Sequence, residues 1–427
     1  PSMITLRSHI GWPAPGVMDT AKAHGSPLGD EEIAKTKEIL GLPADKKFWV
    51  PDEVLEFYRQ STGPGRQRRQ EWQQRMAGWK GDRPAWDAGQ AGHGLPGWEK
   101  KLPSFKAGEQ LATRRAVNAC INATAALIPG LMAGSADLTE NNGVALEGSE
   151  PQEAASPGGN QIHFGIREHG MGGVMNGLAL HGGVLPVGGT FFVFSDYMRP
   201  AVRLAALSEA HVIYSWTHDS VGLGEDGPTH QPVEQLAAMR AMPGLRVIRP
   251  ADANETAHAW RIAVDADGPT ALILTRQNVP VLERTAEAGI GVRRGGYVLV
   301  EADGGPPDVV LVGTGSEVQL CVAAAAGLAD GDAGLRARVV SLPSWELFAE
   351  QDEAYRTSIL PPEVPTLAVE AGSSFGWERY ADDSISFDHF GASAPGGEVL
   401  AHFGYSAENV MDRAKTLVAR SPDGRGA

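Results

Sequence analysis

Between residues 110 and 282 short apolar runs alternate with longer stretches in which apolar residues return every three or four positions. The short runs predict strands at 131–134, 184–188, 211–216, 245–248 and 271–275, and the longer ones helices such as 171–180, 197–207 and 253–264. The last helix opens on Asp252 with Glu255 three residues on, a capping-box variant in which two side chains satisfy free amides at the helix start. From about Arg293 the pattern resumes: Val309-Val310-Leu311-Val312, a Gly313-Thr314-Gly315-Ser316 turn, a helix over 317–328, and strands at 337–342 and 366–370. Strand and helix in regular alternation require crossovers between parallel neighbours. The fold class is therefore α/β, with doubly wound parallel sheets in two consecutive domains. Ahead of them, Met3-Ile4-Thr5-Leu6 reads as a strand, and 30–40 as a helix whose Asp30-Glu31-Glu32 start suits the helix dipole. Residues 51–105 read as a linker with short helices at 54–59 and 66–79.

With 427 residues, 42% of them hydrophobic, the chain can fill two or three cores. A formal charge of -15 argues against a nucleic-acid surface, so an anionic ligand must be met by a few placed arginines. Cys120 and Cys321 have no metal or redox spacing, which suits a reducing cytoplasmic setting and core positions. The most apolar stretch, 178–194, is broken by His181, Pro186 and glycines, so no membrane span is expected.

The densest chemistry lies between Thr217 and Pro232, with two histidines, three carboxylates and three glycines on what the pattern makes a strand-to-helix loop. In a parallel sheet such loops sit at the carboxyl ends of strands, where ligands bind. His218, Asp226 and His230 can donate, accept and move protons there. Pro232 is expected at the first helical position, before 233–237. Glu168 opens a helix rich in Gly and Met; it is either a carboxyl whose charged form is disfavoured by apolar surroundings or a carboxylate serving the helix dipole. Phe191, Phe194 and Tyr197, three apart, are either a core stripe or a stacking platform for a planar heterocycle. Gly313-Thr314-Gly315 lacks the third glycine of a dinucleotide loop, position 318 being Val, which favours a plain turn.

Together these segments resemble transketolase. The resemblance runs from Ile4 to Leu417 through His24-Gly25-Ser26-Pro27-Leu28-Gly29, Gly134-Ser135-Ala136-Asp137-Leu138, Arg167-Glu168-His169-Gly170-Met171, the 217–232 loop and Leu274-Thr275-Arg276-Gln277-Asn278. It implies that 1–50 is the tail of the domain that binds the diphosphate of thiamine diphosphate, 51–105 a linker, 106–285 the pyrimidine-binding domain and 293–427 the carboxy-terminal domain. The chain would then cover the carboxy-terminal two thirds of the family pattern. The implied activity is transfer of a two-carbon ketol unit from a ketose phosphate such as xylulose 5-phosphate to an aldose phosphate such as ribose 5-phosphate, with thiamine diphosphate and magnesium. By the same resemblance Glu168 hydrogen-bonds the aminopyrimidine, Phe191, Phe194 and Tyr197 enclose it, and Asp137 lies near the cofactor. His24, His218, Asp226 and His230 face the sugar, with His24, His218 and His230 catalytic alongside Glu168, and Arg114 and Arg276 clamp its phosphate. A homodimer with active sites between subunits is implied as well. His9, His93, His163, His258 and His402 have no metal-ligand spacing and read as ordinary histidines.

Two departures stand out. Asn141 occupies a position where the family usually has a phosphate-binding serine, and an amide can still donate there. The Gly-Asp-Gly motif that holds metal and diphosphate in the family does not occur in residues 1–427, so no metal ligand is assigned and the chain alone is expected to be inactive. The alternatives are dihydroxyacetone synthase, a related thiamine enzyme, and a non-catalytic or split subunit that needs a separate amino-terminal chain.

Overall fold

The computed structural model describes residues 3–331 and 334–420. They form two compact units, Pro1–Gly81 and Asp82–Ala427. The first contains helices Lys22–Gly25, Asp30–Ile39 and Asp52–Gly78. The strand expected at residues 3–6 does not form: Met3, Ile4 and Leu6 are exposed, and no described strand pairs with them, so their backbone has no ladder. The two short helices expected within 52–79 are a single helix, Asp52–Gly78, that continues through Pro64. Arg, Gln and Glu on both sides are good helix formers, and Gln60–Glu56 and Gln67–Glu71 hydrogen bonds of 2.9 Å support the turns beside the proline.

The second unit holds two large sheets and a two-stranded antiparallel pairing of Gln110–Leu111 with Val279–Pro280. Its first sheet comprises β1 (Leu131–Ser135), β2 (Gln161–His163), β3 (Leu185–Phe191), β4 (Ile213–Thr217), β5 (Arg246–Ile248) and β6 (Thr270–Leu274). The spatial order is β2-β1-β3-β4-β6-β5, and every pairing is parallel. Because β2 lies on one side of β1 and β3 on the other, the chain reverses direction across the sheet between them. A crevice opens at the carboxyl ends of such a pair. Helices cover both faces: on β4, Ile213 joins Val117, Ile121 and Trp260 on one side, while Tyr214 and Trp216 join Met171, Met175 and Met198 on the other. Close approach on the second side needs glycine, since a Cβ at Gly188 would lie 2.2 Å from the Met175 sulfur.

The second sheet comprises β7 (Tyr297–Val300), β8 (Val309–Gly313), β9 (Ala337–Ser341), β10 (Thr366–Val369) and β11 (Asp383–Ile385), ordered β11-β10-β8-β9-β7. Only β7 runs antiparallel to its neighbour. Strands β2, β7 and β11 escape the apolar pattern because no more than half of the residues in each are buried, unlike the equally short β5 and β10. Cys120 and Cys321 are buried free thiols, as expected of core positions. Among the described residues no helix is long and apolar enough to cross a membrane.

Candidate active site at the carboxyl ends of the first sheet

Four of the six strands of the first sheet deliver their carboxyl ends to one polar floor. Asn142 is its centre: its Oδ1 lies 2.8 Å from Ser135 Oγ at the end of β1, its Nδ2 donates to Thr217 Oγ1 at 2.7 Å at the end of β4, and its carbonyl accepts from Ser215 Oγ at 2.7 Å. Ser135 Oγ also lies 2.9 Å from the carbonyl of Gly189 on β3. At β6, Thr275 and Thr113 exchange backbone-to-hydroxyl hydrogen bonds of 2.7 and 2.9 Å, which clasps the start of helix Thr113–Thr124 onto the strand end. Arg114 and Arg276 each follow a clasped threonine, so two guanidinium groups far apart in sequence become neighbours. Burial first, then the charges of Arg115 and Arg276, lowers the pKa of Arg114. Arg114 donates to the carbonyl and side-chain oxygens of Asn141 at 3.1 and 3.3 Å, and Arg276 to the Leu223 carbonyl at 3.3 Å.

Against this floor stands a ring cluster. Phe191 ends β3, Phe194 lies in the following turn, and Tyr197 is the third residue of helix Ser195–Leu207. The Phe191 ring centre lies 4.2 Å from that of His218 and 5.7 Å from those of Phe194 and His230. Phe194 is 5.4 Å from His230 and 5.8 Å from Tyr197. Burial pushes the His218 imidazole down to about 3, helped by Arg114, Arg276 and His230, so it stays neutral at ordinary pH. Its Nδ1 is buried without a hydrogen-bond partner among the described residues, so it is free to meet a bound group. His230 is half-buried and shares a 2.9 Å hydrogen bond with Thr229 Oγ1. The helix expected from Pro232 starts only at Gln235, because Gln235 Oε1 accepts from Val233 N at 3.0 Å and holds 232–234 outside the helix.

Glu168 is the first residue of helix Glu168–His181; it is buried, and its carboxyl has no hydrogen-bond partner among the described residues. Asp137 takes a left-handed turn, φ 66°, after β1 and lines a cleft of about 460 Å³ with Asn141, His163 and Arg167. Asp226 is exposed on the 217–232 loop, and His24 is exposed in the first unit, on helix Lys22–Gly25. Arg114, Asn141, Arg276, His218, His230 and the three rings are thus linked by contacts. For Glu168, Asp137 and Asp226 the fold gives a place near the same sheet edge, and His24 belongs to the other unit.

Sequence reasoning missed the residues beneath these: Asn142, the Thr113–Thr275 clasp, and Asp219, which follows His218 and is paired with buried Arg249. A polar residue inside an apolar run, as at Thr275, was the available signal for the clasp; nothing marked Arg249. The unpartnered His218 Nδ1, with its ring against that of Phe191, fits a ligand that brings a hydrogen-bonding group to the rings. Among the described residues no group of His, Cys, Asp or Glu is arranged to hold a metal ion, so no step through a metal is derived.

Three family models match in succession: the thiamine diphosphate binding domain of transketolase at residues 1–91, its pyrimidine binding domain at 109–281 and the transketolase-like carboxy-terminal domain at 295–406. The first match extends well beyond the tail expected over 1–50 and takes in most of the stretch read as a linker. The chain is 47% identical to a transketolase of Geobacillus stearothermophilus over 98% of its own length, and 46% identical to one of a Nostoc species over 98%. It spans 64% and 63% of the length of these two relatives. A transketolase structure from Leishmania mexicana superposes with a TM-score of 0.90 at 42% identity, covering 98% of this chain and 62% of that one. One from Pichia stipitis, in complex with sedoheptulose 7-phosphate, gives 0.89 at 38% identity, covering 96% and 62%. With both sheet domains and the preceding segment matched in family order, this chain belongs to the transketolase family.

Proposed function

We propose that the protein transfers a two-carbon ketol unit between phosphorylated ketoses and aldoses, with the face at the carboxyl ends of β1, β3, β4 and β6 as the side of the site that binds the aminopyrimidine and the sugar. The observation that carries this reading is the convergence of a neutral, unpartnered His218 with His230, Arg114 and Arg276 beside the Phe191–Phe194–Tyr197 rings. Bound thiamine diphosphate supplies the carbon nucleophile of this chemistry. Glu168, buried and unpartnered, hydrogen-bonds the pyrimidine, the rings pack against its faces, and Asp137 sits toward the cofactor. His218, as a neutral imidazole, can donate to one sugar oxygen and accept from another; His230 and Asp226 complete the contacts to the hydroxyls. Arg114 and Arg276 hold the phosphate, and the Asn141 amide, whose oxygen accepts from Arg114, turns its NH₂ group to the same anion. Magnesium accompanies the diphosphate, and both are met by residues other than those named here.

The domain limits follow the same reading: 106–285 binds the pyrimidine and 293–427 is the carboxy-terminal domain. Val174 and Leu180 on helix Glu168–His181 and Tyr197, Leu204 and Leu207 on helix Ser195–Leu207 are exposed apolar residues, and a second copy of the protein covers them. The setting is cytoplasmic. The test is formation of glyceraldehyde 3-phosphate from xylulose 5-phosphate and ribose 5-phosphate by the intact protein with thiamine diphosphate and magnesium. Absence of transfer from any phosphorylated ketose would overturn the reading.

A further inference from the structure

Behind the sugar-facing loop lies a buried ionic network that the proposed chemistry does not use. Arg249 follows β5 and is 1% exposed. Its Nε and Nη2 donate to Asp219 Oδ2 at 3.1 and 2.7 Å. Its Nη1 donates to the carbonyl and hydroxyl of Thr314 at 2.9 and 3.0 Å and to Glu317 Oε2 at 2.5 Å. The backbone of Arg249 is held by the same neighbours, since its amide donates to the Pro343 carbonyl at 2.9 Å and its carbonyl accepts from Gly315 at 3.1 Å. Every partner except Asp219 belongs to the second sheet's domain, at the turn after β8 or just beyond β9. Asp219 is the residue after His218. One guanidinium thus joins the sugar-facing loop of one domain to the first turn of the other.

The other sugar-facing segment meets the same turn. Gln277, next to Arg276, reaches Ser316 Oγ at 3.5 Å, and Ser316 Oγ donates to Glu317 Oε1 at 2.5 Å. A second arginine braces the arrangement: Arg240 forms a two-pronged pair with Glu370 at 2.9 and 2.7 Å and stacks over Trp345 at 4.0 Å, while Glu370 Oε2 accepts from the Thr314 hydroxyl. This also assigns work to the Gly313-Thr314-Gly315-Ser316 turn: at Gly315, φ 55°, a Cβ would lie 2.6 Å from the Arg249 guanidinium carbon, so the turn is shaped to accept an arginine.

A network held for stability alone gains little, because taking two charges out of water offsets most of their attraction. What a buried, fully hydrogen-bonded fork does supply is a fixed direction, since its planar geometry allows few alternatives. We infer that Arg249 is a positioning residue for ketol transfer: through Asp219 it fixes His218 against Phe191, and through Thr314 and Glu317 it makes that alignment depend on the carboxy-terminal domain. The inference rests on the transketolase reading for its kinetic part. The depressed protonation of His218, which requires the ring to stay buried beside Arg114, Arg276 and His230, agrees with a ring held from behind.

The test compares wild type with Arg249→Lys, which keeps the charge and loses the fork, and with Glu317→Gln, which keeps the shape and loses the charge. The readouts are the melting temperature, the ring ¹⁵N signals of His218 in protein labelled on histidine, exchange of the thiazolium proton of bound thiamine diphosphate, and kcat/KM for xylulose 5-phosphate. In both variants the His218 signals shift and kcat/KM falls roughly tenfold or more, as small misplacements of a reacting group do, while thiazolium exchange stays within about twofold of wild type. Lysine does not rescue. If Arg249→Lys does not fold, the isosteric Glu317→Gln decides alone. Unchanged His218 signals in folded variants, with or without a lower melting temperature, overturn the inference. If wild type transfers no ketol unit, the transketolase reading fails by itself, and the His218 signals still decide whether Arg249 positions that ring.

Discussion

Glu255 provides a test of the junction between the two sheet domains that does not depend on catalysis. It is fully buried on helix Ala253–Val264, where its carboxyl accepts from Ser341 Oγ at 2.6 Å and the Tyr297 hydroxyl at 2.7 Å, both from the second domain, and from Ala251 N at 2.8 Å. Burial first, then the charge of Asp252, pushes it from its ordinary value of 4.5 up to about 7. The folded protein therefore holds this proton more tightly than the unfolded chain. The resulting stabilisation is complete below pH 4.5 and is lost as the pH rises through about 7. At 1.36 kcal/mol per unit, the loss across that window is on the order of 3 kcal/mol. Glu255→Gln removes the titration. Its amide can turn its oxygen to Ala251 N and its NH₂ to the two hydroxyls, which rotate to accept. Urea denaturation of both proteins at intervals from pH 5 to pH 8 should show the variant gaining on wild type as the pH rises, by a total on the order of 3 kcal/mol. Parallel stability curves for the two proteins would refute the assignment of a protonated, buried carboxyl to this junction.

Other substitutions probe the site itself. Glu168→Gln is expected to slow exchange of the thiazolium proton of bound thiamine diphosphate roughly a hundredfold, as loss of a proton-transfer partner does, with little change in cofactor affinity by calorimetry. Arg276→Ala should raise the KM for xylulose 5-phosphate about tenfold or more, the worth of one charge-assisted hydrogen bond, and leave a non-phosphorylated ketose nearly unaffected; equal effects would take Arg276 off the phosphate. Gly315→Ala, at φ 55° and against the Arg249 guanidinium, is expected to cost about 1–3 kcal/mol in chemical denaturation, and an unchanged midpoint would contradict the close packing of that turn.

The parts of the fold that were legible are those written in apolar periodicity. Strands β3, β4 and β6 are buried along their whole length, so each stands out as a run, and the helices between them show one apolar face. Asp252 caps its helix as expected, its Oδ1 accepting from Glu255 N at 2.9 Å, but the reciprocal half of a capping box is displaced, since the Glu255 carboxyl accepts from Ala251 N and not from the Asp252 amide. The same pair shows the limit of pattern reading. Glu255 was visible as a helix-start residue, but its burial against Ser341 and Tyr297 depends on how two domains meet. Met3 to Leu6 failed for the opposite reason: an apolar run is a strand only when something pairs with it. Among site residues, His218 and His230 announced themselves through local density of chemistry. Arg114 and Arg276 needed the resemblance, because they become neighbours only through a threonine clasp between positions far apart in sequence. Arg249 carried no sequence signal at all, since a lone arginine after a short strand reads as surface.

Where ligand binds is measured directly by a crystal structure of the intact protein with thiamine diphosphate and xylulose 5-phosphate. The expected result is the pyrimidine packed against Phe191, Phe194 and Tyr197 within hydrogen-bond reach of Glu168, with the sugar against His218 and His230 and its phosphate on Arg114 and Arg276. Ligand density away from the carboxyl ends of β1, β3, β4 and β6, or a phosphate that touches neither arginine, would contradict it.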